Sequence, residues 1–412
     1  MSIDPAHKDK VRTGSQYSGK EITGNSGDFK GLVAKEIENN SNQLKELSLK
    51  IHANPEIGLQ EIKTAALICQ FLEQNGFAVE RGICELPTAF SACYGRGRPA
   101  IALIAEYDAL PKLGHACGHN IISAISVGAA IASKLAVDQF GGSIFVIGTP
   151  AEEFWGGKVA MAAKGAFDHL DFVMMVHPGW EDRAIHYTYA SQALEVEFFG
   201  VASHASARPE LGINALEAMI QSFVHINSLR QHIKQNARIT GIITNGGEAP
   251  NIVPAYSAAS FTIRAADDAY LEELKQKVLN CFVGAATSTG ARLEYKWPNE
   301  PRHSMRTNFT LAELFSQNLQ LLGRTPRIPN PNELGGSADL GNVSQLAPAI
   351  HAWIAITSGA RPHDPEFASA AASEEGMQAL IDGAKALALT VVDLLAAPDI
   401  RVKIKEEFQG KK

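Results

Sequence analysis

A chain of 412 residues is longer than one hydrophobic core usually organises, so two domains are expected. An apolar share of 45% and a charged share of 20% exclude collagen-like, coiled-coil and wholly disordered classes. The net charge of −7 argues against nucleic acid as a partner, and with no uninterrupted run of about 18 apolar residues, no membrane-spanning helix is expected.

Residues 1–28 are polar, rich in Gly and Ser, and lack the apolar core of a secretory signal, so they read as a loose arm. The five cysteines (Cys69, Cys84, Cys93, Cys117, Cys281) are odd in number and form no Cys-x-x-Cys pair, which fits a reducing cytoplasm better than a disulfide framework. From Phe29 to Gln74 the pattern predicts two helices, broken at "HANPEIG" by Pro55 and Gly58. From Pro99 the pattern changes. "AIALIAEYDALP", "GSIFVIGTPAEE" and "DFVMMVHPG" are apolar runs that end abruptly in polar residues, with helical "NIISAISVGAAIASKLAV" and "GKVAMAAKGAF" between them. This alternation predicts a mostly parallel sheet covered on both faces. Residues 191–298 read β-α-β-β-α-β, the order of a ferredoxin-like unit. Afterwards the strand–helix alternation returns in helical "LAELFSQNLQLLG", strand "AIHAWIAIT" and a long helix from Glu374. The expected fold class is therefore α/β: a main domain of residues 29–190 and 299–412 on a mostly parallel sheet, with an α+β unit, 191–298, inserted.

In open parallel sheets ligands bind beyond the carboxyl ends of the strands. Asp108 follows the first apolar run, Glu152 and Glu153 the second, His177 ends the third, and His363 lies beyond the last. Cys117 and His119 sit in "GHACGHN", between the first strand and its helix. Sulfur, imidazole and carboxylate are the usual donors for zinc and related transition metals. Cys-x-His spacing suits an extended loop, where alternate side chains share a side. Adjacent carboxylates allow a division of labour, one holding metal and the other taking a proton from water that the ion polarises. Taken singly, each residue has an ordinary use: a buried cysteine, a core histidine, an acidic helix start. Their convergence on one sheet edge favours the metal. His52, His169, His186, His225, His232 and His303 are read as structural.

"EYDALP", "GHACGHN", "GTPAEE", "MMVHPG", "SHASARPELGINALEA", "APNIVP" and "GGSADLGNVSQLAP" occur in order between about residues 35 and 395. On these motifs the chain resembles the metallopeptidase family of aminoacylase and carboxypeptidase G. Within it the match is to the Cys-Gly-His amidohydrolase subgroup, on the side of its aminobenzoyl-glutamate hydrolase and β-alanyl-lysine/Xaa-Arg dipeptidase branches. The resemblance implies Cys117, His119, Glu153, His177 and His363 as metal ligands and Glu152 as general base. Asp108 would orient a ligand, and His204 would polarise the scissile carbonyl, often across a dimer interface. Asn251 and Arg264 would hold a substrate carboxylate, and Gly335–Asp339 would lie beside the site. Two departures stand out: Asn120, where many members have aspartate, and Phe154 with Trp155, where glycines are usual. These two aromatics either narrow the pocket or pack on the following helix.

The implied activity is metal-dependent hydrolysis of a dipeptide or N-acyl amino acid, with one or two zinc or manganese ions. The partners are a small-molecule substrate and a second copy held through the inserted unit, which would hinge near Ala190 and Pro298. A second reading directs the same machinery at an aromatic amide or an aromatic amine. A third, a non-catalytic binding protein, is opposed by Glu152, since binding alone needs no base.

Overall fold

The structure is a computed structural model that describes residues 26–410. Most of the expected N-terminal arm lies outside the described residues. The elements in chain order are α1 (Ser26–Asn39), α2 (Ser41–His52), α3 (Ile62–Gln74), β1 (Ala78–Arg81), β2 (Phe90–Arg96), β3 (Ala100–Glu106), α4 (His119–Phe140), β4 (Gly142–Thr149), α5 (Gly157–Ala163) and β5 (Phe172–Gly179). Then come β6 (Ala190–Phe199), α6 (Ala215–Leu229), β7 (Arg238–Asn245), β8 (Tyr256–Ala265), α7 (Asp268–Thr289) and β9 (Arg292–Lys296). The chain closes with α8 (Phe309–Leu321), α9 (Leu340–Ser344), β10 (Ala349–Ala355), α10 (Pro365–Ala370), α11 (Glu374–Ala396) and α12 (Pro398–Phe408).

The first helical region holds three helices rather than the two expected. Besides the break at Pro55 and Gly58, the chain turns at Asn40, whose side-chain amide donates to the Glu36 carbonyl at 2.8 Å. Asparagine offers the backbone this competing bond, which disfavours an uninterrupted helix.

The main sheet has the order β1-β2-β4-β3-β5-β10. β4, β3, β5 and β10 run parallel, and every residue of β3 is buried, as helices on both faces require. β1 and β2 extend it antiparallel. They are not legible in the sequence because β1 is short and mostly exposed, so it carries little apolar signal.

By length and composition α4 could cross a membrane, although its sequence holds no uninterrupted apolar run of that length, but 89% of its apolar window is buried inside the protein, so it is a core helix. Serines interrupt its apolar run in the sequence. Folded, Ser123 and Ser126 donate to the Glu106 and Ile104 carbonyls of β3 at 2.5 and 2.6 Å, which fixes the start of α4 against the strand.

The second sheet, β7-β8-β6-β9, is antiparallel throughout. Its two central strands, β6 and β8, alternate buried and half-buried positions, and α6 and α7 join the sheet in a core of its own around Phe198, Phe261 and Phe282. The chain enters and leaves this unit at one place, where Ser191 and Arg302 exchange both backbone hydrogen bonds, at 2.8 and 3.0 Å.

Candidate metal centre

The concentration of glycine and soft donors in "GHACGHN" has a geometric reason. Gly118 takes φ +77°, and a Cβ there would fall 2.4 Å from Pro178 Cγ. Only glycine satisfies both the left-handed turn and the close approach. The loop therefore lies against the end of β5, and Cys117 Sγ comes within 3.5 Å of His177 Nε2. His177 Nδ1 donates to the Pro178 carbonyl at 2.7 Å, leaving Nε2 as the free lone pair. His119, the first residue of α4, bonds through Nδ1 to Asp108 Oδ1 at 3.0 Å, while Asp108 Oδ2 accepts the Glu153 N–H at 3.0 Å. One carboxylate thus orients two neighbours, as supporting groups do at histidine-ligated sites. His363 Nε2 lies 3.3 Å from Glu153 Oε2, and His119 Nε2 lies 3.9 Å from Glu153 Oε1.

Two non-glycine residues here adopt left-handed backbone, Ala151 at φ +57° and His363 at +76°. Each conformation costs about 1–2 kcal/mol and is held by a specific bond. The Ala151 N–H donates to buried Glu61 at 2.8 Å, and the His363 N–H to the Ala116 carbonyl at 2.8 Å. Strain of this kind collects where side-chain direction matters more than backbone comfort.

Donor atoms of Cys117, His119 and His177 lie within 4.8 Å of one another, as do those of Cys117, Glu153 and His363, and those of His119, Glu152 and Glu153. His119 Nε2 and Glu153 Oε1 are buried with no hydrogen-bond partner among the described residues. Unpaired buried acceptors aimed at one volume call for a cation, and thiolate, imidazole and carboxylate suit a transition metal. The residues fit a metal. Three overlapping sets that share corners also fit two neighbouring ions.

The electrostatics agree in part: against the effect of burial, the Asp108 charge lifts the His119 imidazole well above its ordinary value, so an incoming ion must displace a proton there. Burial lowers the His177 pKa to about 3, so its imidazole is neutral and ready to ligate. Burial, aided by the Glu153 charge, lifts the Cys117 thiol well above its ordinary value, so an incoming ion must displace its proton. Burial also pushes the Glu152 carboxyl up to about 8; the Asp339 charge adds to this and Arg302 opposes it.

Comparison with known proteins gives this geometry a lineage. Residues 189–285 match the peptidase dimerisation domain family. The chain is 34% identical over 399 residues to Xaa-Arg dipeptidase of Mus musculus, covering 93% of each. It is 31% identical over 361 residues to a p-aminobenzoyl-glutamate hydrolase chain of Escherichia coli, covering 82% of this chain and 72% of that one. A solved structure described as a dinuclear metal binding peptidase from the M20 family, from Bacillus subtilis, superposes with a TM-score of 0.69 at 22% identity, over 87% of this chain and 99% of that one. The chain belongs to the M20 peptidase family. It is a metal-dependent amide hydrolase of the dipeptidase and aminoacylase kind.

Against the M20 pattern, the structure gathers Asp108, Cys117, His119, Glu152, Glu153, His177 and His363 at one sheet edge and brings Arg264 beside them. A cavity of about 800 Å³ between the two sheets is lined by Glu153, Phe154, Trp155, Arg264, Trp297 and Arg302. A second, of about 570 Å³, opens onto Cys117, Glu152, His177, Arg264 and the Gly335–Ala338 loop. Phe154 and Trp155 therefore face the cavity. His204 and Asn251 line neither one. They stand exposed and side by side, the Ala205 N–H donating to the Asn251 carbonyl at 3.0 Å. Asn120 is buried in α4 and donates to Ser48 and the Ala371 carbonyl, so the departure at this position serves packing.

Sequence reasoning missed several groups. Lys158 is fully buried, with Nζ 2.6 Å from Glu106 Oε1 and 2.7 Å from Asp339 Oδ1. The signal was there: a lysine inside apolar "GKVAMAA" and an acid ending an all-apolar strand both need partners. Arg302 donates to the Glu152 carbonyl at 2.7 Å and lies 3.7 Å from its carboxylate. His186, read as structural, lines the smaller cavity together with His351.

Proposed function

We propose that Glu152 is the general base of this hydrolase and that Cys117, His119, Glu153, His177 and His363 hold its metal, zinc or manganese, as one or two ions. The observation that carries this reading is the convergence of five donors, two with unpaired buried atoms among the described residues, beside the carboxyl of Glu152. A carboxylate held next to the metal position can accept a proton from water and then release it. Divalent ions bound there would polarise the scissile carbonyl and acidify water. Glu152 takes the proton of the attacking water and delivers it to the leaving amine. Arg264, which makes no ion pair among the described residues, receives the substrate carboxylate through paired hydrogen bonds.

In the same reading residues 191–298 form a lid and dimerisation unit on a main domain of residues 29–190 and 299–412. The match over 189–285 supports pairing with a second copy, and pairing would bring His204 and Asn251 to the neighbour's site. A cytoplasmic setting is proposed from the odd cysteine count. The substrate is a dipeptide or N-acyl amino acid with a free carboxylate. Phe154 and Trp155 in the cavity favour aromatic amides as the second choice.

The test is a panel of dipeptides, N-acyl amino acids and aromatic amides, run with zinc, with manganese and with chelator. Hydrolysis of the first two classes that chelator abolishes supports the reading. Turnover that survives full metal removal defeats it.

A further inference from the structure

One wall of the smaller cavity consists of groups that hydrolysis itself does not use. On β10, His351 is 3% exposed and neither ring nitrogen has a partner among the described residues. Trp353, two residues along and so on the same face of the strand, is buried with its indole N–H unpaired. His186 is buried with Nδ1 unpaired. All three line the cavity that also opens onto Cys117, Glu152 and His177.

The rings form one cluster. His186 stacks on Trp353 with centroids 4.7 Å apart, and His351 lies 4.9 Å from His186 and 5.6 Å from His177. The cluster is held from outside. A Cβ on Gly335 would fall 2.4 Å from His186 Cε1, and the loop is pinned by Gly335 N–H to the Tyr187 carbonyl and Tyr189 N–H to the Gly336 carbonyl, at 2.8 and 3.0 Å. Native interiors rarely leave buried polar atoms unpaired. Four such atoms on three side chains that line a cavity beside the reacting centre offer hydrogen bonds to a ligand that packs against them.

Position and charge define the ligand. The two cavities meet at Glu153, Arg264, Arg302 and Ser337. With the scissile amide at the metal cluster and the leaving amino acid in the larger cavity under the inserted sheet, the acyl portion occupies the smaller one. A cation is disfavoured there, because Arg361 lines the cavity and the Arg183 guanidinium lies 3.9 Å over the Trp353 ring. An anion is disfavoured by Glu106, Glu152 and Glu153, which line the same cavity, whereas Arg264 and Arg302 lie where it meets the larger one. A neutral imidazole offers one donor and one acceptor, and indole adds a donor. The flat aromatic surfaces favour a planar group.

We propose that His351, His186 and Trp353 form the acyl-side specificity subsite, and that it takes a planar, uncharged group carrying both donor and acceptor: a carboxamide, as in a glutamine side chain. The proposal rests on the amide-hydrolase reading of the same site.

The test uses the metal-loaded enzyme and four dipeptides with N-terminal Gln, Met, Glu or Lys, sharing whichever C-terminal residue the substrate panel selects. Gln and Met are close in length and differ in hydrogen bonding. A missing bond at a polar subsite is expected to lower kcat/KM by about tenfold or more, so Gln should exceed Met by that factor, with Glu and Lys below both. His351→Leu should bring the Gln-to-Met ratio to about one through KM for Gln, and His351→Gln should restore part of it. Melting curves confirm that each variant is folded, and the wild-type ratio stands without them. Equal turnover of Gln and Met dipeptides by the wild type overturns the subsite, as does a ratio unchanged in folded His351→Leu. Cleavage of N-acyl amino acids but none of the four dipeptides also overturns it and leaves the hydrolase reading standing. Cleavage of no amide at all removes both.

Discussion

The two regions that contribute to this site differ in how complete they are. At the carboxyl ends of the main sheet, Cys117, His119 and His177 are buried, and Asp108 holds His119 and Glu153 in place with one carboxylate. In the inserted unit, His204 and Asn251 stand exposed on adjoining loops and reach neither cavity. The first region is organised by a single chain before substrate arrives, and preorganisation of that kind gives electrostatic catalysis its strength. The second is unfinished. In the function proposed above it would need lid closure, a second protomer or both to meet the substrate, which would make binding and assembly conditions of turnover.

The contrast breaks most sharply at Glu152. Glu152→Gln should lower kcat by about 10² to 10⁴-fold while metal content and melting temperature stay near wild type. Activity within a few-fold of wild type would place the base elsewhere.

His204→Ala comes next, with an expected loss of about 10²-fold or more if His204 stabilises charge on the carbonyl oxygen. Co-expression decides whose site it serves. If His204 acts across the dimer, a heterodimer of His204→Ala and Glu152→Gln chains contains one intact site. Random pairing of the two inactive chains should then recover about a quarter of wild-type activity. No recovery in a verified heterodimer would confine His204 to its own chain.

Arg264→Lys tests the residue that, unlike His204 and Asn251, does line the cavities from the inserted unit. Lysine cannot make the paired bonds of a guanidinium, so KM for carboxylate substrates should rise by about tenfold, with kcat less affected and metal content unchanged. Unchanged kinetics would make Arg264 a bystander.

The smallest effect concerns stability where the inserted unit meets the returning chain. His303 Nδ1 lies 2.9 Å from Asp268 at the start of α7, and this bond raises the His303 pKa. A raised pKa gives stabilisation that is fully present below the ordinary imidazole value and is lost as pH rises through the raised one. Both side chains are more than a third exposed, so solvent screening holds the contribution to well under about 1 kcal/mol. Melting curves across that range should fall slightly more steeply for wild type than for His303→Gln. Parallel curves would show that the pair contributes nothing.

The main sheet was legible because β3, β4, β5 and β10 are apolar runs that stop at polar residues, and that stopping point is where a parallel sheet binds ligands. The metal donors followed from it. Lys158 did not: its apolar neighbours marked it as needing a partner, but that partner, Asp339, is 181 residues away and the local sequence does not identify it. His351 was hidden for a related reason. β10 is buried on both faces, so no polar alternation marks the side that lines the cavity. His204 and Asn251 carried a sequence signal, but their exposure could not be read from it. Exposure depends on the position of a whole unit, and local pattern does not encode that.

The paired crossing at Ser191 and Arg302 has an evolutionary consequence. Because the inserted unit departs and returns at neighbouring backbone positions, removing it would leave two ends roughly one strand spacing apart, about 5 Å. A gap that narrow can be closed by a two-residue hairpin turn. A shortened chain joined there keeps Cys117, His119, Glu153, His177 and His363 and forfeits Arg264 and His204. An insertion attached at a single point can be gained, lost or exchanged without rethreading the sheet beneath it. Chemistry at the sheet edge and selectivity from the insert can therefore change independently of each other.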